Sequence, residues 1–289
     1  MTRECMRVSA ADCFSNFIKP YGMTMFWQSI NTDSWNEGSQ DSLHSSMPYA
    51  REHMGGLTSQ HQGVAARSCL ETGELEAYVE VLTPQIGAIP SDLENGLSVC
   101  LEVFALSEGL GISPCVMQTL WQHSVRTGYM AALIAMDQHV SRSLVWQAFI
   151  GGLLHDIGML IFLTQQPQVF SAVVDLAQCQ GQELAIMEQN FLGTTHAECG
   201  ARFLSRWGVS TEVLTIVAFH DQPFQVPHSA VCPLTTVYIA NMLEGGGIAQ
   251  DGDGLVGFEG EAYLRRLGLW DHLPLYQGWM RELHHLSGF

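Results

Sequence analysis

The chain has 289 residues, 47% hydrophobic and only 14% charged, a globular, rather apolar composition with ample material for a core. Twelve Lys and Arg stand against 29 Asp and Glu, a net charge of −17, which denies the chain the basic surface that nucleic acid binds. No run reaches the ~18 uninterrupted apolar residues of a membrane span, and the first residues lack the basic head and apolar stretch of a secretion signal. The eight cysteines form neither a CxxC pair nor a framework spacing. The expectation is a cytoplasmic protein with reduced thiols and no membrane association.

Residues 1–64 carry little periodicity, and NTDSWNEGSQDSLHSSMPY within them is rich in Ser, Asn, Asp, Gln and Gly. They read as a weakly ordered segment, with His44, His53 and His61 solvated. Residues 65–289 read as one helical domain, with a core over about 94–245 and a helical tail over 246–289. A helical pattern runs from Gly63 to Val81, after which Pro84 and Pro90 bracket a short connection. Ser91 with Glu94 spells a capping box, and the helix it opens runs to Gly109-Leu110-Gly111. Ser113-Pro114 starts the next helix, which carries Val116, Leu120, His123 and Thr127 on one side, with Arg126 beside them.

Val145 to Gly158, VWQAFIGGLLHDIG, reads as one apolar helix at the centre of the domain. It delivers His155 and Asp156 side by side. The small residues Ala148, Gly151 and Gly152 are expected to leave the surface beside His155 open, and Gly158 to end the helix. A buried aspartate is costly unless it is paired or bound to a cation, so partners are to be sought. Further helices follow at about Val169–Cys179, broken at Gly181, and at Glu183–Phe191, stopped by Gly193. Thr195 and Glu198 form a second capping box that places His196 in a first helical turn. A helix capped by Ser210 ends at His220-Asp221, and Leu234–Leu243 carries Asn241 in its last turn. DGDGLVGFEGEA (251–262) has the look of a calcium loop, but Leu255 and Ala262 offer no ligand oxygen, so it reads as a plain loop. Glu261–Leu286 reads as one or two helices, with His284-His285 at the surface. No alternating pattern or hairpin signal occurs, and the fold class is all-α.

His123, His155-Asp156, His196 and His220 thus sit each on its own helix. Several helices turning one histidine each toward a common centre is how metal sites are built in helical bundles. An N,O donor set suits a divalent Fe, Mn, Zn or Mg ion, which would acidify bound water and clamp a phosphate.

The motifs WQHS, GGLLHDIG, THAECGARFLSRWG and IVAFH, in this order and spacing, resemble the HDOD family, a signalling branch of the HD metal-dependent phosphohydrolase superfamily. The resemblance runs from about Glu94 to Leu243 and implies an HD-like helical bundle with additional flanking helices. It gives His123 the place of the first metal ligand and His155 and Asp156 that of the HD pair. His196 and His220 match the additional histidines of multinuclear relatives, and Glu188 sits where the family has a glutamate. Three departures weaken catalysis: Phe219 replaces the first of two adjacent histidines, Asn241 the last aspartate ligand, and Met159 a lysine. The resemblance therefore implies a signal-output or scaffolding module that acts through a signalling protein partner and keeps a degenerate metal pocket. The alternative is a metal-dependent phosphohydrolase of a phosphoester or nucleotide second messenger, in which Asp156 and Arg126 would be the catalytic candidates.

Overall fold

Apolar residues recur at helical spacing through most of the chain, and the computed structural model is built accordingly. It describes residues 73–107, 110–246 and 258–286, among which there is no strand. The expected weakly ordered segment 1–64, its histidines and residues 63–72 of the first helical pattern lie outside the described residues. All described helices belong to the compact unit Ser68–Phe289.

The first two helices are α1 (Gly73–Ile86) and α2 (Ser91–Ser107). Pro84 lies inside α1 and not in the connection after it. Its missing N–H forfeits one bond in the final turn, and the chain leaves the helix only at Gly87, at φ 87°, whose N–H reaches Thr83 O at 2.8 Å. The capping box expected at Ser91 does not open α2: the Pro90 carbonyl accepts from the N–H groups of Leu93 (2.8 Å) and Glu94 (3.1 Å) instead. Helix α3 (Pro114–Asp137) starts as expected, Ser113 Oγ accepting from Val116 N at 3.2 Å.

The expected central helix is in fact two. α4 (Arg142–Leu154) stops at His155, and α5 (Ile157–Gln165) begins after Asp156. At Asp156 the backbone leaves helical geometry (φ −99°, ψ 11°), and its carbonyl accepts from Met159 N at 2.9 Å to open α5. The span Arg142–Gln165 is long and apolar enough to cross a membrane, but 78% of its most apolar window is buried by other helices, which makes it core. α4 is contacted by α2, by α3, by α9 (Thr211–Phe219) and by α10 (Pro233–Asn241). The main core is centred there, with Trp121, Trp146, Phe149, Ile150, Leu153 and Leu154 fully buried.

The surface of α4 beside His155 is not open. A Cβ on Gly151 would stand 2.8 Å from Ile216 of α9, and one on Gly152 would stand 2.5 Å from Gly128 Cα of α3. The small residues are small because neighbouring helices occupy the space. Gly158 is likewise no terminator: it lies within α5, where a Cβ would stand 1.9 Å from the carbonyl oxygen of His196.

α5 next packs on α6 (Pro167–Gln180). With α7 (Leu184–Leu192) these helices enclose a second, smaller core of Phe162, Phe170, Val173, Ala177, Met187 and Leu192. α8 (His196–Ser205) crosses α5 and packs on α9. Thr195 caps α8 through Glu198 N at 3.1 Å, but the reciprocal half of the expected box is absent, because Glu198 Oε2 accepts from the Thr194 hydroxyl at 2.8 Å. After α10 the chain unwinds into a wide turn at Met242–Gly246, with Gly245 at φ 120°. Two tail helices follow, α11 (Phe258–Arg266) and α12 (Leu273–Leu286). The loop expected over 251–262 is therefore helical from Phe258 onward.

Candidate metal centre

The junction between α4 and α5 aims two adjacent side chains into the interior, and four other helices close around them. His123 comes from the middle of α3, His196 from the first turn of α8, and His220 and Asp221 from the end of α9. Asn241 comes from the end of α10. All five groups expected at the site meet there, and Asn241 stands beside His123.

The cluster has two halves joined by one carboxylate. In the first, His123 Nε2 is 3.1 Å from His155 Nε2, and these nitrogens are 3.3 and 3.2 Å from Asp156 Oδ2. In the second, His196 Nε2 is 3.2 Å from His220 Nε2, and these lie 3.4 and 3.5 Å from Asp156 Oδ1. Donor atoms that share one ion at about 2.1 Å lie about 3.0 to 3.4 Å apart, from octahedral to tetrahedral geometry. Both halves match this spacing.

The proton arrangement makes the same point. His155 Nδ1–H donates to Gly152 O at 2.7 Å, and His220 Nδ1–H donates to Val217 O at 2.8 Å. His196 Nδ1–H donates to Glu188 Oε2 at 2.7 Å. With Nδ1 holding the proton, each neutral ring turns a bare Nε2 lone pair inward. Two lone pairs cannot face each other at 3.2 Å without a cation between them, either a proton or a metal. Asp156 Oδ1 meanwhile is buried and accepts no hydrogen bond. An orphaned carboxylate oxygen beside converging imidazole nitrogens fits a divalent ion.

Without a metal, protons take that role. Burial works against charge on His196, but the hydrogen bond it donates to Glu188 and the charges of Asp221, Glu188 and Asp156 outweigh it and lift its pKa to about 10. Burial likewise opposes charge on His123, and Asp156, Glu244 and Asn241 still raise it. Burial, with the neighbouring histidines, pushes His220 down despite Asp221. Burial alone would raise Asp156, but His155, His123 and His196 hold it well below the usual carboxylate range.

Glu188, anticipated from the family resemblance, is fully buried and also accepts from His196 N at 2.9 Å, so it fixes both ring and backbone of that residue. Arg126 is buried, and its guanidinium lies 3.4 Å from Glu74 Oε1 and 3.5 Å from Glu244 Oε1. It is no surface cation. Glu244 in turn hydrogen-bonds to His284, which lies at the surface as expected and is tied there to the layer around the site. Sequence reading missed Asp221, whose carboxylate is 3.3 Å from His220 Nε2 and 3.5 Å from His196 Nε2. Its adjacency to His220 was the available signal.

The family model for the HDOD domain matches residues 98–223, which includes all five clustered groups and stops before Asn241. An uncharacterized protein of Treponema pallidum (strain Nichols) is 27% identical over 123 residues, 43% of this chain and 24% of that protein. The match thus spans about a quarter of the relative's length. Among solved structures, an HDOD domain protein of unknown function from Geobacter sulfurreducens aligns with a TM-score of 0.48 at 22% identity, covering 63% of this chain and 67% of the other. A protein from Shewanella amazonensis SB2B, named provisionally as a phosphohydrolase, aligns with a TM-score of 0.44 at 17% identity, covering 77% and 93%. The family model spans the helices that build the cluster, with the His155-Asp156 pair at its centre, so residues 98–223 of this chain match the HDOD domain.

Proposed function

We propose that the chain is a signal-output module that acts by binding a protein partner, and that its metal pocket is structural or sensory and not hydrolytic. The observation that carries this reading is the condition of Arg126. A transferring phosphate needs cations aimed at its oxygens, and Arg126, three residues on from His123, turns Nε to Glu74 and Nη1 to Glu244, while its Nη2 is buried without a hydrogen-bond partner. The other positions agree. Met159 packs against the second core and Phe219 against the first, so neither offers a ligand or a charge. Asn241 presents a neutral amide to His123. The surplus of acidic groups, net −17, also repels anionic substrates. Free thiols at Cys100, Cys115, Cys179, Cys199 and Cys232 support a cytoplasmic location.

One feature favours the second reading, a metal-dependent phosphohydrolase: Asp156 turns one oxygen to each histidine pair, as a carboxylate bridging two metals would. A phosphoesterase assay of Mn(II)- or Zn(II)-loaded protein on bis(p-nitrophenyl) phosphate and on a cyclic dinucleotide decides between them. The expected result is background turnover. Turnover well above background, abolished by Asp156→Ala in a protein that still folds, would overturn the proposal.

A further inference from the structure

The two halves of the cluster are not equivalent in charge. Both share Asp156, and each supplies two imidazole nitrogens. The first half adds only the neutral amide of Asn241 beside His123. Its nearest further carboxylate, Glu244, is already paired with Arg126 and His284. The second half adds Asp221, with one oxygen 3.3 Å from His220 Nε2 and the other 3.5 Å from His196 Nε2. No cation other than these imidazoles pairs with Asp221 among the described residues. A divalent ion placed between His196, His220 and Asp156 would therefore have a second carboxylate, that of Asp221, beside the two histidines, whereas one between His123 and His155 would meet a single shared carboxylate.

Preorganisation favours the same half. His220 is held by Val217 O, and His196 by Glu188 at both its ring and its backbone N–H. Both Nε2 lone pairs are thus fixed on one point before an ion arrives. Asp156 Oδ1, the buried oxygen without a hydrogen bond, faces this half. Asp221 is also the most exposed member of the cluster, its side chain 34% accessible against 19% for His123, which places it where an ion would enter.

Resting on the metal-binding reading above, we propose that Asp221 is a metal ligand and that the chain takes up one ion preferentially, between His196, His220, Asp156 and Asp221. The donor set of two imidazoles and two carboxylates selects a first-row ion of the Mn, Fe or Zn type over Ca or Mg, whose sites are built of oxygen. The His123–His155 half is then the weaker site.

Calorimetric titration of the chelator-treated, untagged full chain with Zn(II) and with Mn(II), checked by elemental analysis of the dialysed protein, tests this. One equivalent should bind at least about tenfold more tightly than any second. Asp221→Asn should weaken that first step by about tenfold or more, and Asp221→Glu should recover part of it. His123→Gln should leave the first step intact. Two equal equivalents, or a first step indifferent to Asp221→Asn but lost in His123→Gln, would overturn the proposal while leaving metal binding in place. Failure of the wild-type chain to bind either ion would overturn both this proposal and the metal pocket it rests on.

Discussion

Gly158 lies directly under the backbone of His196: a Cβ at residue 158 would stand 1.9 Å from the His196 carbonyl oxygen. The contact is reciprocated by Gly200, whose own Cβ would stand 3.1 Å from Gly158 N. Two helices without side chains at their crossing let α8 approach α5 closely enough for His196 to reach Asp156. A methyl group at 158 meets backbone, which cannot swing aside. Gly158→Ala is therefore expected to destabilise the protein by about 3 kcal/mol, at the upper end of overpacking costs, and to weaken metal binding by displacing His196. Denaturant unfolding and metal titration of the variant check the two effects separately. A variant as stable as wild type would show that the crossing is looser than described.

Glu188 positions His196 through two hydrogen bonds to one oxygen. Glu188→Ala leaves a buried N–H and a buried ring N–H without an acceptor, at a cost of about 2 to 3 kcal/mol. Loss of such an orienting partner is expected to lower metal affinity by about tenfold to a hundredfold. Glu188→Gln keeps an acceptor oxygen and should lose less on both counts. Equal behaviour of the two variants in unfolding and in metal titration would argue against an orienting role.

Arg126 holds two carboxylates from distant parts of the chain, Glu74 in α1 and Glu244 after α10. Breaking a buried ion pair from one side strands the partner charge. Arg126→Ala is expected to destabilise by about 3 kcal/mol, and Arg126→Lys by less, since a point charge cannot serve both carboxylates with the geometry of a guanidinium. Thermal unfolding of the two variants measures the difference. If Arg126 were instead held in reserve for substrate, both variants would keep wild-type stability.

The raised His196 pKa predicts a pH dependence for the metal-free protein. In the unfolded chain a histidine titrates near 6.5, and here it titrates near 10 with Glu188, Asp221 and Asp156 around it. A pKa raised by folding stabilises fully below the unfolded value and loses that contribution as pH rises through the folded one. The upward shift of His123 acts in the same direction. The downward shift of His220 acts below pH 6.5, outside this window. Stability without metal should thus fall between about pH 6.5 and pH 10, and bound metal, which replaces the protons, should flatten the decline. Denaturant unfolding across this range, with and without Zn(II), supplies the test; a metal-free stability that rose toward pH 10 would contradict it.

Local signals were legible along the chain. Helical spacing of apolar residues and the caps at Ser113, Thr195 and Ser210 located α3, α8 and α9, and with them His123, His196 and His220. The cost of burying Asp156 next to His155 announced that partners had to be near. Local pattern could not tell why a glycine is a glycine. Gly151, Gly152 and Gly158 look the same in sequence whether they open a pocket, end a helix or admit another backbone, and only the packing of α3, α8 and α9 shows that they admit neighbours. The break between α4 and α5 was hidden for a related reason. Apolar periodicity continues across it, while the turn is set by His155 and Asp156 facing inward among three other histidines. Asp221, Glu74, Glu244 and His284 enter the site or its surroundings through contacts as far as 118 residues apart in order, that of Arg126 with Glu244. Electrostatic partners are chosen by distance in space, and no spacing along the chain encodes that distance.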